Sequence, residues 1–346
     1  MQPELTSPIP DAHLDVVGSL LGTSAFNALS ISEGANNQVY KIDTASERFI
    51  LKYYPDSPDD RRDRFKAETT ALNFMNTAKL SCVPSLAGCD SDHRLAIMNF
   101  VNGDTIKAVT NDHIQSAVNF TLSLHKARKE NDAHRIEAAS EACLSPADVT
   151  KQIISRRNRL EETITEHSGL RLFLEQKFDS AFQDFQQDAT QQFKASGINP
   201  ETILTDDQLT LSPSDFGFHN ALAINGDVIF LDFEYFGWDD PVRLVSDFLL
   251  HPGHQLRDTQ KQQFVRATSS HFVEYDKSFL PRLLALYPLI GLRWCMILLN
   301  EFLPERLVRR RAAGNQDDTA TIHTQQLKKS EALLTMLNKT KRVLPL

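Results

Sequence analysis

Cysteine is scarce: four residues in 346, at Cys82, Cys89, Cys143 and Cys295, with no C-x-x-C spacing among them. That scarcity excludes a thiolate zinc site and a disulfide framework, and it fits a reducing compartment. Basic charge is also in deficit, with 37 Lys and Arg against 45 Asp and Glu, a net charge of -8 and a pI near 5.8. A nucleic-acid binder working through a basic surface is excluded on that ground. The run Arg309-Arg310-Arg311 reads as a solvated helix end. No apolar run is long and clean enough for a bilayer span. The most apolar segment, Leu283 to Leu299, holds Pro288 and Arg293 and is expected to be a buried helix. The opening Met-Gln-Pro-Glu-Leu lacks a basic segment followed by an apolar one, so no signal peptide is expected. Repeats and low-complexity segments are missing too. These absences predict a cytoplasmic protein with no nucleic-acid or membrane partner, and they leave its oligomeric state open.

What is present changes period along the chain. Phe26 to Ile31, Gln38 to Ile42 and Arg48 to Tyr54 read as strands, followed by an extended piece from Val83-Pro84 and a strand from Leu95 to Val101. Ser32-Glu-Gly-Ala-Asn-Asn37 has turn chemistry, although Gly34 is its only glycine. Between these strands, Arg64 to Met75 puts Phe65, Leu72 and Met75 on one helical stripe beside Ala71. Beyond about residue 110 the chain is mainly helical: 114–128, parts of 151–193, 242–250, 259–275, 281–302 and 319–337. The change from strands to helices predicts an α+β, bilobal protein. A small antiparallel-sheet lobe is expected over residues 1–103 and a mainly helical lobe over 104–346.

The densest signal is Ser212-Pro-Ser-Asp-Phe-Gly-Phe-His-Asn220 with Val228-Ile-Phe-Leu-Asp-Phe-Glu-Tyr235. Asp215 and Asn220 have the D-x-x-x-x-N spacing of a phosphotransferase catalytic loop, and Asp232 stands where a metal-binding Asp-Phe pair belongs. Pro213 disfavours helix at Ser212, so Asp215 is expected in a loop. A hairpin around Asn225-Gly226-Asp227 would bring Asn220 and Asp232 side by side. Asp232 and Glu234 flank Phe233, so on an extended chain they would share a face, an arrangement that a cation makes tolerable. The oxygen-only set Asn220, Asp232 and Glu234 suits Mg²⁺. Lys52, sixteen residues before Glu68, could reach nucleotide phosphates with that acid as its partner. Asp240 before Pro241 reads as a helix cap and Asp247 as structural, bonding to the catalytic loop. His125, His219, His251 and His254 are expected to be scattered core or surface histidines with no metal role.

Taken together, these segments resemble the aminoglycoside phosphotransferase and choline kinase family, small-molecule kinases with a protein-kinase-like fold. Gly34-Ala-Asn-Asn-Gln-Val-Tyr40 is similar to the family's phosphate-covering hairpin, Phe49-Ile-Leu-Lys52 to its nucleotide-binding strand, and Arg64-Phe-Lys-Ala-Glu68 to the helix carrying the partner acid. Ala96 to Gly103 resembles the adenine-binding linker, and Leu124-His125 a helix motif of the family. One departure is Pro213, where the family commonly has a loop-bracing His. The resemblance implies ATP and Mg²⁺ as cofactors and a small-molecule acceptor. It implies Asp215 as catalytic residue, Lys52, Glu68, Gly34, Asn37, Met98 and Phe100 as nucleotide-binding residues, and Asn220, Asp232 and Glu234 as metal ligands.

The expected activity is transfer of the γ-phosphate to a hydroxyl of a small metabolite, an amino alcohol, a sugar or an amino sugar. Trp238, Asp239, Trp294 and Glu301 are candidate walls of the acceptor pocket. Aromatic and acidic groups together would suit a cationic amine, although Trp294 is expected mainly to pack in the core. Two other readings stand beside this one. A non-catalytic nucleotide-binding scaffold on the same fold is favoured by Pro213 and the glycine-poor turn. Modification of an aminoglycoside antibiotic would be the same chemistry on another acceptor.

Overall fold

The computed structural model describes residues 8–32, 37–55, 62–306, 318–340 and 344. Gly34 and the Arg309–Arg311 run fall outside the described residues. Five strands, β1 (Phe26–Ser32), β2 (Gln38–Thr44), β3 (Arg48–Tyr53), β4 (Leu86–Asp90) and β5 (Leu95–Asn99), form an antiparallel sheet in the order β1-β2-β3-β5-β4. In register, Leu51 lies opposite Tyr40 and Ile97, and Lys52 opposite Val39 and Ala96. Cross-strand partners share a face and chain neighbours alternate. Tyr40, Ile42, Phe49, Leu51, Leu95 and Ile97 therefore face one side, where Ile9 and Val17 close a small core over them. Lys52, Ala96 and Met98 face the other way, and Ala96 and Met98 join the main core shared with the helical body.

Val17 belongs to α1 (Asp11–Leu21), a helix that the strand-first reading of the N-terminus missed. Its signal is local: Leu14, Val17, Leu20 and Leu21 recur at helical spacing against the sheet, and Gly22 ends the helix at φ 67°. The helix inserted between β3 and β4, α2 (Arg64–Thr77), is capped by Asp63, whose side chain accepts from the Lys66 amide. Phe65, Glu68, Leu72 and Met75 occupy its buried stripe. Glu68 is thus carried inward by the same periodicity that packs the helix.

The chain then enters β6 (Asp104–Thr105), which pairs with β8 (Ala221–Ile224), and β8 pairs with β9 (Asp227–Phe230). Asn225 (φ 52°) and Gly226 (φ 91°) make the tight turn between them, both central residues being left-handed as a two-residue hairpin of this hand requires. A third small ladder joins β7 (Thr210–Ser212) to β10 (Gly237–Asp239). The helical body comprises α3 (Asn111–Ala127), α4 (Pro146–Glu161), α5 (Ser168–Phe173), α6 (Asp179–Ala195), α7 (Pro241–Leu250), α8 (Asp258–Tyr275), α9 (Phe279–Leu298) and α10 (Thr319–Lys339). Its centre is α9, packed against α4, α6, α7 and α10. By length and composition the segment Phe279–Phe302 could cross a membrane, but 83% of its apolar window is buried inside the protein. The outcome is the expected α+β architecture, an antiparallel-sheet N-terminal region on a helical C-terminal region.

Candidate active site

Alternation builds the loop after β7. Phe216 and Phe218 point inward, where Phe216 lies 5.7 Å from Phe120 and 5.0 Å from Phe248, and Phe218 lies 5.7 Å from Phe248. The polar residues flanking them, Asp215, His219 and Asn220, are left less buried, on the cleft side. Ser214 is left-handed at φ 64°, and its amide donates to Ser212 Oγ at 3.1 Å. A left-handed non-glycine residue costs on the order of 1 kcal/mol or more, so the loop is held in a strained form by its two buried rings. Gly217 is extended, but a Cβ there would come within 2.7 Å of both His219 Nδ1 and His254 Nδ1. The position requires glycine because two imidazoles crowd it.

Asn220 Nδ2 donates to the Asp215 carbonyl at 3.1 Å and to Asp215 Oδ2 at 3.2 Å. The Leu231 amide donates to the Asn220 carbonyl at 2.9 Å, the last rung of the β8–β9 hairpin. Asp232 follows at once, left-handed at φ 67°, with Oδ1 2.7 Å from Lys52 Nζ. Lys52 donates to both Glu68 oxygens, at 2.8 and 2.9 Å. Glu68, 1% exposed, also accepts from Tyr54 Oη at 2.5 Å and from the Phe233 amide at 3.3 Å. Burial works against the Lys52 charge, but Glu68 and then Asp232 outweigh it and hold the ammonium above its ordinary range. These contacts run unbroken from Lys52 on the sheet to Asp215 on the loop.

Glu234 arrives by a route the sequence did not predict. The strand ends at Phe230, and a turn closes where the Phe236 amide donates to the Phe233 carbonyl at 3.0 Å. Asp232 and Glu234 therefore do not alternate along an extended chain, because the left-handed Asp232 and the burial of Phe233 and Phe236 bend the segment. Glu234 accepts from Asn37 Nδ2 at 3.0 Å and lies 3.7 Å from Arg64 Nε. Burial, and next the charge of Asp232, raise its carboxyl above the usual range.

Asp215 is braced by histidines. His251 Nε2 donates to Asp215 Oδ1 at 2.9 Å, and its tautomer is fixed because the Gly253 amide donates to Nδ1 at 2.9 Å. His219 Nε2 lies 3.2 Å from the same oxygen, its ring stacked on His251 at 4.0 Å. His254 accepts from the Phe218 amide at 3.4 Å and donates to the Phe248 carbonyl at 2.8 Å. Burial alone would raise the Asp215 carboxyl, but hydrogen bonds from His219 and His251 overcome it and hold the group well below the usual carboxylate range. The expectation of scattered histidines is corrected here, since three of them gather around the loop. His125 stays apart, buried against His271, Phe272 and Tyr275.

The other expected site residues divide. Met98 is buried on the cleft-facing side of β5, opposite Ile50 and Leu86. The Phe100 amide donates to the Arg48 carbonyl at 3.2 Å and its ring lies beneath the Arg48 guanidinium at 4.7 Å, so that amide is engaged within the sheet. Beside Asp215 opens a cavity of about 480 Å³, with Ser214, His219, His251, Tyr235 and Trp294 in its wall. Trp294 reaches it although only 8% exposed, with Nε1 donating to Asp247 Oδ1 at 2.8 Å. Three expected wall residues do not. Trp238 donates through Nε1 to the Ala133 carbonyl at 3.0 Å and lines a separate depression with Arg128 and Asp206. Asp239 is 0% exposed, accepting from the Cys143 amide at 2.8 Å and paired with Arg243 at 2.6 Å. Glu301 has Oε2 buried, and its carbonyl accepts from His323 Nε2 at 2.9 Å. Asp240 caps α7 through the Val242 amide at 2.9 Å, as expected. Asp247 bonds to Arg243 at 3.1 Å and to Trp294, where the sequence reading had tied it to the catalytic loop.

Comparison with known proteins follows the same outline. No curated protein sequence gives a significant match. Among solved structures, a choline kinase from Cryptosporidium parvum Iowa II superposes with a TM-score of 0.57 at 11% identity, over 93% of this chain and 92% of that one. A choline kinase from Streptococcus pneumoniae gives 0.56 at 14%, over 93% and 97%. An ADP-bound aminoglycoside phosphotransferase gives 0.58 at 14%, over 94% and 97%. At these identities the likeness speaks for the fold, which is protein-kinase-like. A family model described as the phosphotransferase enzyme family matches residues 27–278. That span takes in the sheet, the Lys52–Glu68 pair, the strained loop and the β8–β9 hairpin, and on its extent the chain belongs to the phosphotransferase enzyme family.

Proposed function

We propose that the protein moves the γ-phosphate of ATP to a hydroxyl of a small metabolite, acting in the cytoplasm. The observation that carries this is the contact chain from Lys52 through Asp232 and the Leu231–Asn220 rung to Asp215. A scaffold has no physical need of that continuity, whereas phosphoryl transfer needs positioning and charge at each of its points. Lys52, held by Glu68, would carry the nucleotide phosphates. Asn37, Met98 and the linker near Phe100 would bound the nucleotide. Amino alcohols, sugars and amino sugars are the acceptor classes that the resemblance suggests.

The donor set fits Mg²⁺. Asn220 turns its Nδ2 to Asp215, which leaves Oδ1 as the free acceptor, and Asp232 contacts Lys52 through Oδ1, leaving Oδ2. Both are hard oxygens of the kind Mg²⁺ prefers. Asn220 and Asp232 would hold the ion, with Glu234 beside them. Bound there, Mg²⁺ supplies charge neutralisation on the phosphate oxygens.

The step assigned to Asp215 is proton acceptance. The acceptor oxygen bonds to the γ-phosphorus, the bridging bond to ADP breaks, and the hydroxyl proton leaves toward the Asp215 carboxylate. His251 and His219 keep that carboxylate ionised and aimed. The test is ADP release from ATP with Mg²⁺ across a panel of hydroxylated metabolites. Turnover that Asp215→Asn abolishes while nucleotide still binds supports the reading. Nucleotide binding with no transfer to any acceptor favours the scaffold, and preferential phosphorylation of kanamycin favours antibiotic modification.

A further inference from the structure

The cavity beside Asp215 has the opposite charge balance to the chain around it. The protein carries a net charge of -8. The cavity wall holds six arginines and no lysine against four carboxylates, Glu141, Asp215, Asp247 and Glu305. Three of those carboxylates are already matched by guanidinium groups. Glu141 is bonded by Arg156 and by Arg293 at 3.0 Å. Asp247 is bonded by Arg243 at 3.1 Å and by Arg293 at 3.5 Å, and Glu305 by Arg159. The fourth, Asp215, is held by histidines. Each wall carboxylate therefore already has a guanidinium or imidazole partner, which argues against an ammonium group beside acidic walls.

We infer that the acceptor is a hydroxylated anion, bearing a carboxylate or a phosphate apart from the hydroxyl that is phosphorylated, and that Arg156 and Arg159 of α4 with Arg293 of α9 receive that anion. The inference rests on the phosphotransfer reading of Asp215 and narrows its substrate class. Arg156 and Arg159 lie one turn apart on α4, so both reach the same side of the helix. From α9, Arg293, Trp294 and Ile297 line the same cavity, and Trp294 meets His251 edge-on at 4.7 Å. Trp294 thus connects the arginine-rich wall with the Asp215 brace. Arginine forks match carboxylate and phosphate oxygens in pairs, which lysine cannot do. Of the five N–H donors on the Arg156 guanidinium, bonds to Asn300 Oδ1 at 3.3 Å and to Glu141 occupy two.

Glu141 indicates what this wall holds. Its backbone is left-handed at φ 54°, and that strained loop delivers a carboxylate, 41% exposed at the side chain, between Arg156 and Arg293. Burial, and the neighbouring Arg293, weaken the proton affinity of Arg156 in spite of Glu141. Arg156 and Arg293 both reach the single Glu141 carboxylate, and a second anion would share that positive charge. The volume, about 480 Å³, admits a molecule of sugar-acid size.

The experiment uses the full chain with ATP and Mg²⁺. Glucuronate, glucose 6-phosphate, glucose, choline and kanamycin are compared as acceptors, and the same compounds are titrated calorimetrically into nucleotide-free protein. The expected result is kcat/KM at least 100-fold higher for the carboxylate or the phosphate compound than for glucose or choline, and which of the two wins identifies the anion. Arg156→Gln should raise KM for that acid about 10- to 100-fold, as loss of a charge-assisted hydrogen bond does, with kcat within about threefold. Arg159→Gln, on a side chain 51% exposed, should do so about threefold or more without a folding penalty. Preference for choline, kanamycin or glucose overturns the inference, as does a KM unmoved by both variants. If no acceptor is turned over, the phosphotransfer reading fails separately. Calorimetry then decides the anion site: acid binding lost in Arg156→Gln supports it, and the lack of acid binding overturns it.

Discussion

Replacing Glu68 by Ala should be among the most damaging single changes in the sheet region. Its carboxylate, 1% exposed, takes both bonds from Lys52, one from Tyr54 Oη and one from the Phe233 amide. Removing it leaves Lys52 buried with Asp232 alone and leaves the Tyr54 hydroxyl without its acceptor. Breaking a buried pair by deleting one partner costs about 3–5 kcal/mol, and a stranded buried hydroxyl adds about 1 kcal/mol or more. The expected loss is therefore about 4–6 kcal/mol, read as a shift of the urea midpoint followed by far-UV circular dichroism. The double variant Lys52→Met, Glu68→Leu separates charge from packing. It removes both ions and fills the site, so it should regain most of that loss. Nucleotide binding should be lost in the single and the double variant alike. A Glu68→Ala cost below about 1 kcal/mol, or a double variant as unstable as the single, would refute the claim that this carboxylate matters as one half of a desolvated pair.

Asp215→Asn should lower kcat by about 10²–10⁴-fold in the ADP-release assay, with nucleotide affinity within a few-fold, because the amide keeps the shape and loses the proton acceptor. Gly217→Ala should cost stability and activity together, since its Cβ would meet two imidazole nitrogens at 2.7 Å; crystal or NMR data showing His219 and His254 unmoved would contradict this. The buried histidines predict an acid limb. Burial, first of all, lowers His125 to about 3 and His254 to about 4. Their folded pKa values lie below the unfolded value, so the stability they contribute is complete above about pH 6.5 and is lost as pH falls, at about 1.4 kcal/mol per unit for each group. Between pH 6.5 and 5 the chain should lose about 3 kcal/mol from the pair, and His125→Phe should roughly halve that slope in denaturant titrations.

Local patterns carried most of what the sequence revealed. Alternation located β2, aromatic and β-branched content β3, and an apolar run β5; the register then puts Lys52 on the face that Met98 shares. Asn225-Gly226 announced the hairpin, and the hairpin delivered Asn220 beside Leu231-Asp232 as the spacing implied. The stripe through Phe65, Leu72 and Met75 brought Glu68 inward with it. Each of these inferences needs only residues within one element or one turn. Glu234 failed for a related reason: its predicted direction assumed an extended backbone, and a left-handed Asp232 turned the chain one residue too early.

The misplacements at the acceptor end share a different cause. His251 meets Asp215 across 36 residues, Arg293 meets Glu141 across 152, and Asp239 accepts from the Cys143 amide across 96. No periodicity encodes such pairs, because each depends on which loop a helix end happens to face. Asp239 and Trp294 make the point from opposite directions. Asp239 looked like an open acid because it sits near the motif, yet burial against Arg243 removes it from any ligand. Trp294 looked like core because its helix is apolar, yet its ring reaches His251 at 4.7 Å. A residue's charge in the sequence therefore says little about the charge a ligand meets, which is what remains after the chain has paired its own ions. Around Asp215 the cavity wall holds six arginines against four carboxylates. A family fold seen elsewhere in choline kinases is thereby compatible, in this chain, with an acceptor of the opposite sign.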